Sequence, residues 1–195
     1  MYEKEVMKYK SLNQLAESDG IVIFGGSPDV DIPLGELKQA FALNTSIYNR
    51  SFTGLVVDDA SKAFQECIAE LCPDTVLLHI GDADVLGFDG NEDAFEAGYR
   101  TLIGTIKAKA KNCRTVIVSQ KNYDNHPSVA RMNACLKHIA DTEKCEFQDI
   151  SETHAENIKE KSELMSFLHD IGFDSPLHIK RPIYDLVRIL FCYEG

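Results

Sequence analysis

Long apolar runs are missing from this chain: none approaches the roughly 18 residues of a membrane span, so no membrane association is expected. Basic residues are also in deficit. Lys and Arg total 20 against 31 Asp and Glu, a formal net charge of −11 at pH 7. Such a surface repels nucleic-acid phosphates and anionic lipid, so neither is an expected partner. No Cys-x-x-Cys occurs among Cys67, Cys72, Cys113, Cys135, Cys145 and Cys192, and the histidines include no His-x-x-x-His pair. A zinc site or a disulfide framework is therefore not expected. Cys67 and Cys135 sit beside apolar residues in helix-like patterns, where a thiol packs as a small hydrophobe. Nor is there a Gly-x-Gly-x-x-Gly fingerprint, since Val30 follows Gly25-Gly26 at the decisive spacing. That excludes nicotinamide cofactors, and no cofactor is expected. Met1 to Glu17 contains no signal-peptide core, which points to a cytoplasmic location.

What is present is globular composition: 195 residues, 44% apolar and 26% charged. Residues 1–18 read as an added helix and residues 19–195 as a single α/β domain. Ile21 to Phe24 is a short apolar run closed by Gly25-Gly26, the pattern of a strand buried on both faces. Thr75 to Ile80, Arg114 to Ser119 and Cys145 to Ile150 read as further strands, with a weaker one over Thr45 to Phe52. Between them lie helical stripes. Ala60, Ala63, Phe64, Cys67, Ile68 and Leu71 step by threes and fours, as do Phe95, Tyr99, Leu102, Ile103 and Ile106. Val129, Met132, Leu136 and Ile139 form a third stripe, and Ile158, Met165 and Leu168 a loose fourth. Ile183, Leu186, Val187 and Leu190 mark a closing helix, with Pro182 in its first turn. Five strands alternating with about five helices predict a three-layer, doubly wound, five-stranded parallel sheet.

In such sheets ligands bind beyond the carboxyl ends of the strands, at the switch in strand order. The most polar segments fall there: Gly25-Gly26-Ser27-Pro28-Asp29 after the first strand, and Asn49-Arg50-Ser51-Phe52-Thr53-Gly54 after the second. Gly81-Asp82-Ala83-Asp84 follows the third, and Asp174-Ser175-Pro176-Leu177-His178 precedes the closing helix. In these blocks the chain resembles the SGNH/GDSL hydrolases, serine esterases on a flavodoxin-like sheet. The family's Gly-Asp-Ser is met by Gly25-Gly26-Ser27, its second-block glycine by Gly54, its Gly-x-Asn-Asp by residues 81–84, and its Asp-x-x-His by His178 with Asp174 four residues earlier. Three positions depart: Gly26 replaces an aspartate, Ala83 the oxyanion asparagine, and Ser175 stands where strict spacing puts the triad aspartate.

The resemblance implies a serine acyl-ester hydrolase acting on small acyl or acetyl esters, acetylated carbohydrate among them. Ser27 is the implied nucleophile, His178 its base and Asp174 the group that orients the imidazole. The backbone N–H groups of Ser27 and Gly54 are the implied oxyanion donors, with Gly26, Asn49, Ala83 and Asp84 lining the pocket. Ala83 has no amide to offer; loss of one such donor typically costs a factor of about 100–1,000 in rate, unless Asn49 or Asn122 fills the gap. Pro28 carries no N–H, and position 29 is Asp, so the Gly-x-Ser-x-Gly elbow of the α/β-hydrolases is excluded.

Other readings of the same residues stand beside this one. Ser27-Pro28 is also a plain helix start, Ser at the N-cap and Pro at the first helical position. Gly25-Gly26 suits a tight turn with positive φ. His79, inside an apolar strand, reads as a hydrogen-bonded core histidine. Asp82 and Asp84 are either solvated loop carboxylates or hydrogen-bonded braces between loops. Two alternative functions remain: a degenerate member that binds a ligand without catalysis, and a metal-dependent phosphoester hydrolase if Asp29, Asp31, Asp82, Asp84 and Asp174 converge.

Overall fold

The computed structural model describes residues 2–122, 126–151 and 183–192. Continuous apolar runs became the sheet interior: β1 (Ile21–Gly25), β3 (Thr75–His79) and β4 (Arg114–Val118) are buried along nearly their whole length. Two three-residue strands, β2 (Ile47–Asn49) and β5 (Glu146–Gln148), close the edges. All pairings are parallel, and the strand order is β2-β1-β3-β4-β5. The predicted five-stranded doubly wound sheet is thus the observed one.

Alternation along the strands feeds two cores. Val22, Phe24, Val76, Leu78 and Ile117 face one side, where α3 (Val57–Cys67), α4 (Glu92–Lys109) and α5 (Pro127–Glu143) cover them. Ile21, Ile23, Leu77, Val116 and Val118 face the other side, beneath α2 (Leu34–Ala40) and α6 (Ile183–Phe191). The three stripes read over residues 60–71, 95–106 and 129–139 pack as expected. Among the described residues no helix is long and apolar enough to cross a membrane.

Two elements differ from the sequence reading. β2 covers only three of the eight residues from Thr45 to Phe52, because the chain leaves the sheet after Asn49 and turns Phe52 into the core, fully buried. Helix α2 was not predicted at all; it has seven residues, includes Gly35, and buries only Leu37, too little for a clear stripe. The loose stripe over Ile158 to Leu168 and Pro182 lie outside the described residues.

The N-terminal segment forms α1 (Glu3–Asn13) and docks through Tyr2, Val6 and Tyr9. Tyr2 and Tyr9 meet the Phe52 ring edge-on, at centroid separations of 5.8 and 5.2 Å. The Arg50 guanidinium, 5% exposed, stacks over Tyr9 and Tyr48 and donates through Nε to Asn13 Oδ1 at 2.9 Å. Cation–π contact plus hydrogen bonds is what lets a buried guanidinium persist.

Candidate active site

The direction in which strands are added to the sheet reverses between β1 and β3. After β1 the chain steps to β2 on one side, then crosses back over to β3 on the other. Loops leaving neighbouring strands in opposite directions open a crevice at their carboxyl ends. Gly26-Ser27-Pro28-Asp29 leaves β1 there, and Gly81-Asp82-Ala83-Asp84 leaves β3.

Ser27 opens a single 3₁₀ turn with Pro28 behind it, yet its side chain does not cap that turn. Its Oγ accepts instead from the Gly54 N–H, 2.9 Å away. The N-cap reading of Ser27 is therefore replaced by a tertiary contact, one that joins the first and second sequence blocks. Gly54 has φ of +67°, a left-handed conformation in which a side chain would be strained. Helix α1 steadies this turn, since the Tyr2 hydroxyl donates to Gly54 O at 2.8 Å and the Tyr9 hydroxyl donates to Ser51 O. Sequence reading missed that supporting role; the Tyr2, Val6, Tyr9 spacing was its one visible trace.

The other proposed oxyanion donor, the Ser27 N–H, is hydrogen-bonded to the Asp82 carboxylate, Oδ2 lying 3.2 Å away. Asp82 reaches this position because residue 26 is glycine: a Cβ there would stand 1.6 Å from Asp82 Oδ1. Gly25 is required for a parallel reason, its Cβ position lying 1.8 Å from Asp29 Oδ2. The expectation that these glycines provide positive φ is thereby corrected; neither has it, and both make room for a carboxylate.

The room at Gly25 serves a buried pair. Asp29, 2% exposed, folds back under β1, and both its carboxylate oxygens accept from His79 Nδ1–H, at 2.9 Å each. A carboxylate only accepts, so the proton sits on Nδ1. The Phe191 ring packs edge-on against the imidazole, centroids 4.9 Å apart. His79 is thus a hydrogen-bonded histidine of the interior, as its strand context suggested.

Asn49 is occupied by structural work. Its Nδ2 donates to Asp29 O at 2.7 Å and its Oδ1 accepts from the Ser51 N–H at 3.0 Å. It is not available to replace the missing asparagine amide, which corrects that expectation. Asn122 Oδ1 accepts from the His126 N–H at 2.7 Å. Ala83 lies half-buried in the 3₁₀ turn Asp82–Gly87. Asp84 accepts from the Val57 N–H at 3.1 Å, at the start of α3. Burial raises its carboxyl to about 6, against the opposing pull of that N–H and with help from the Asp58 and Asp82 charges. Both Asp82 and Asp84 therefore brace loops. The carboxylates imagined as one cluster diverge, Asp29 to His79, Asp82 to Ser27 and Asp84 to α3; among the described residues no three His, Cys, Asp or Glu come together. Burial pushes the Cys67 and Cys113 thiols up to about 12, so these two stay protonated and poor nucleophiles. His178, Asp174 and Ser175 lie outside the described residues.

The fold is that of the SGNH/GDSL hydrolases. Similar solved structures include a GDSL-like lipase from Bacteroides thetaiotaomicron (19% identity, 74% of this chain and 77% of that one, TM-score 0.58). An acetylxylan esterase from Geobacillus stearothermophilus matches at 20% identity over 81% of this chain and 96% of that one, with a TM-score of 0.56. A Streptococcus pneumonia protein, classed provisionally as a platelet activating factor, gives 18% identity, 77% and 75% coverage, and a TM-score of 0.65. No family model and no curated protein matches the sequence.

Proposed function

We propose that this chain is a carboxylic-ester hydrolase for small acyl or acetyl esters, with acetylated carbohydrate as a substrate class, and that Ser27 is its nucleophile. The observation that carries the reading is the 2.9 Å contact between Gly54 N–H and Ser27 Oγ at the switch point of the sheet. It brings a hydroxyl and a backbone donor together where an ester carbonyl can reach both. Ser27 Oγ attacks the carbonyl carbon while His178, oriented by Asp174, takes its proton. The Gly54 N–H then passes from Oγ to the new oxyanion. His178 returns the proton to the departing alcohol, and water releases the acid by the reverse sequence. Acetyl esters of carbohydrate enter because a fold neighbour is an acetylxylan esterase.

Ester turnover on nitrophenyl acetate, and labelling by a fluorophosphonate probe, test the proposal. Both are expected of the wild type and lost in Ser27→Ala and His178→Ala. Absence of labelling in every form would remove it. One observation favours a second reading, a ligand-binding protein without turnover: the Asp82 carboxylate holds the Ser27 N–H, putting negative charge where the oxyanion forms. Binding of an ester without its hydrolysis is the result that selects this alternative.

A further inference from the structure

Gly54 is anchored at both of its polar groups. Its N–H donates to Ser27 Oγ at 2.9 Å, and its carbonyl accepts from the Tyr2 hydroxyl at 2.8 Å. Phe52 and Leu55 are fully buried, while Thr53 and Gly54 form the exposed tip between them. Glycine is the residue least able to hold a conformation by itself, and Gly54 stands at φ of +67° with open space where a Cβ would be. Its orientation therefore depends on what binds it from outside.

The two anchors are not equivalent during acyl transfer. When Ser27 Oγ becomes an ester oxygen and the N–H turns to the oxyanion, the bond to the serine is given up. The Tyr2 bond is made at the carbonyl, which takes no part in the chemistry, so it persists. Tyr2 is itself well fixed. Its ring meets Phe52 edge-on at 5.8 Å, and its own carbonyl accepts from the N–H of buried Val6 at 3.0 Å, in the first turn of α1. Burial raises the hydroxyl above its ordinary value of 10, against the pull of the Val56 N–H and with help from the Asp59 and Asp84 charges. It therefore remains a donor at neutral pH.

We infer that Tyr2 is a positioning residue, whose hydroxyl keeps the Gly54 N–H aimed into the crevice after Ser27 Oγ has let go of it; its bearing on rate rests on the hydrolysis proposed above. A preorganised donor owes its effect to being aimed before charge develops, and one that must first be ordered gives the transition state less. Removing the hydroxyl leaves the N–H in the chain but frees its direction. The loss is therefore smaller than the roughly 100–1,000-fold of a deleted donor. It falls on kcat, because the oxyanion forms only after substrate has bound.

The test uses the full chain and separates anchoring from turnover. Ser27→Ala removes the serine anchor for good and leaves the Tyr2 bond. In that background the NMR order parameter of the Gly54 amide should stay near the rigid value of about 0.85, and fall below about 0.6 when Tyr2→Phe is added. Tyr2→Phe keeps the ring against Phe52 and takes only the hydroxyl. With Ser27 present, the same substitution should lower kcat for nitrophenyl acetate about tenfold and change KM by less than about twofold. Ile139→Val trims a buried residue of α5 and controls for lost stability; order parameter and kcat should stay as in its parent. The same Gly54 order in Ser27→Ala with and without Tyr2→Phe, a Tyr2→Phe enzyme with wild-type kcat, or equal losses in Ile139→Val would each overturn the inference. No turnover by any form, with Gly54 loosened only where Tyr2→Phe is present, removes the hydrolase reading and leaves Tyr2 as the anchor of that amide.

Discussion

The Asp82 carboxylate lies against Gly26 and accepts from the Ser27 N–H at 3.2 Å, so a side chain from the turn after β3 occupies a backbone donor in the turn after β1. The family pattern has an aspartate at position 26; here that position is glycine, and its missing side chain leaves the space that the Asp82 carboxylate fills. In the proposed reaction, an oxyanion on Ser27 would meet, among the described residues, the Gly54 N–H as donor and the Asp82 carboxylate close by.

If that charge opposes the transition state, its removal accelerates hydrolysis. Asp82→Asn is expected to raise kcat/KM for nitrophenyl acetate by about tenfold, equivalent to about 1.4 kcal/mol of barrier. Ala83→Asn should add up to about 100-fold by restoring an amide donor. Rates measured at saturating and limiting substrate check both; a fall in kcat for Asp82→Asn would show that the carboxylate assists the reaction.

Gly26→Ala puts a Cβ 1.6 Å from Asp82 Oδ1, so the carboxylate must leave its place over Ser27. Overpacking of this kind costs about 1–3 kcal/mol of stability. Denaturant unfolding of the single variants and of Gly26→Ala/Asp82→Ala forms a double-mutant cycle. The double variant should recover most of the loss, because the clash partner is gone. Additive losses would mean that residue 26 is constrained by something other than Asp82.

Asp84 sets a pH dependence. Its carboxyl titrates near 6 in the folded chain, raised mainly by burial, against an ordinary value of 3.8. Between those values the native state holds more protons than the unfolded chain, so this group's contribution to stability falls as pH rises through about 6. Thermal unfolding of wild type and Asp84→Asn at about pH 5 and about pH 8 isolates it. Wild type should lose more stability than Asp84→Asn over that interval. Parallel curves would assign the titration elsewhere.

Much of the fold was legible because burial on both faces leaves an uninterrupted apolar run. Ile21–Phe24, Thr75–Ile80 and Arg114–Ser119 could be read as strands for that reason, and Gly25 and Gly81 marked where two of them stop. Edge elements were harder. β2 pairs along only three residues of β1, and nothing local separates Ile47–Asn49 from Phe52, which leaves the sheet to fill the core. Helix α2 is too short to show a period.

By itself the sequence determined the layered α/β architecture and the order in which its polar segments reach the sheet's carboxyl edge, since period and apolar content are local properties of the chain. Only the tertiary structure decided what those segments do on arrival. It turned Asp29 inward onto His79, set Asp82 on the Ser27 backbone, and gave Asn49 to the loop that holds Asp29. Asp29 and His79 are 50 residues apart, Ser27 and Asp82 55. A hydrogen bond depends on separations of a few ångströms, which the chain acquires only once the strands between have paired.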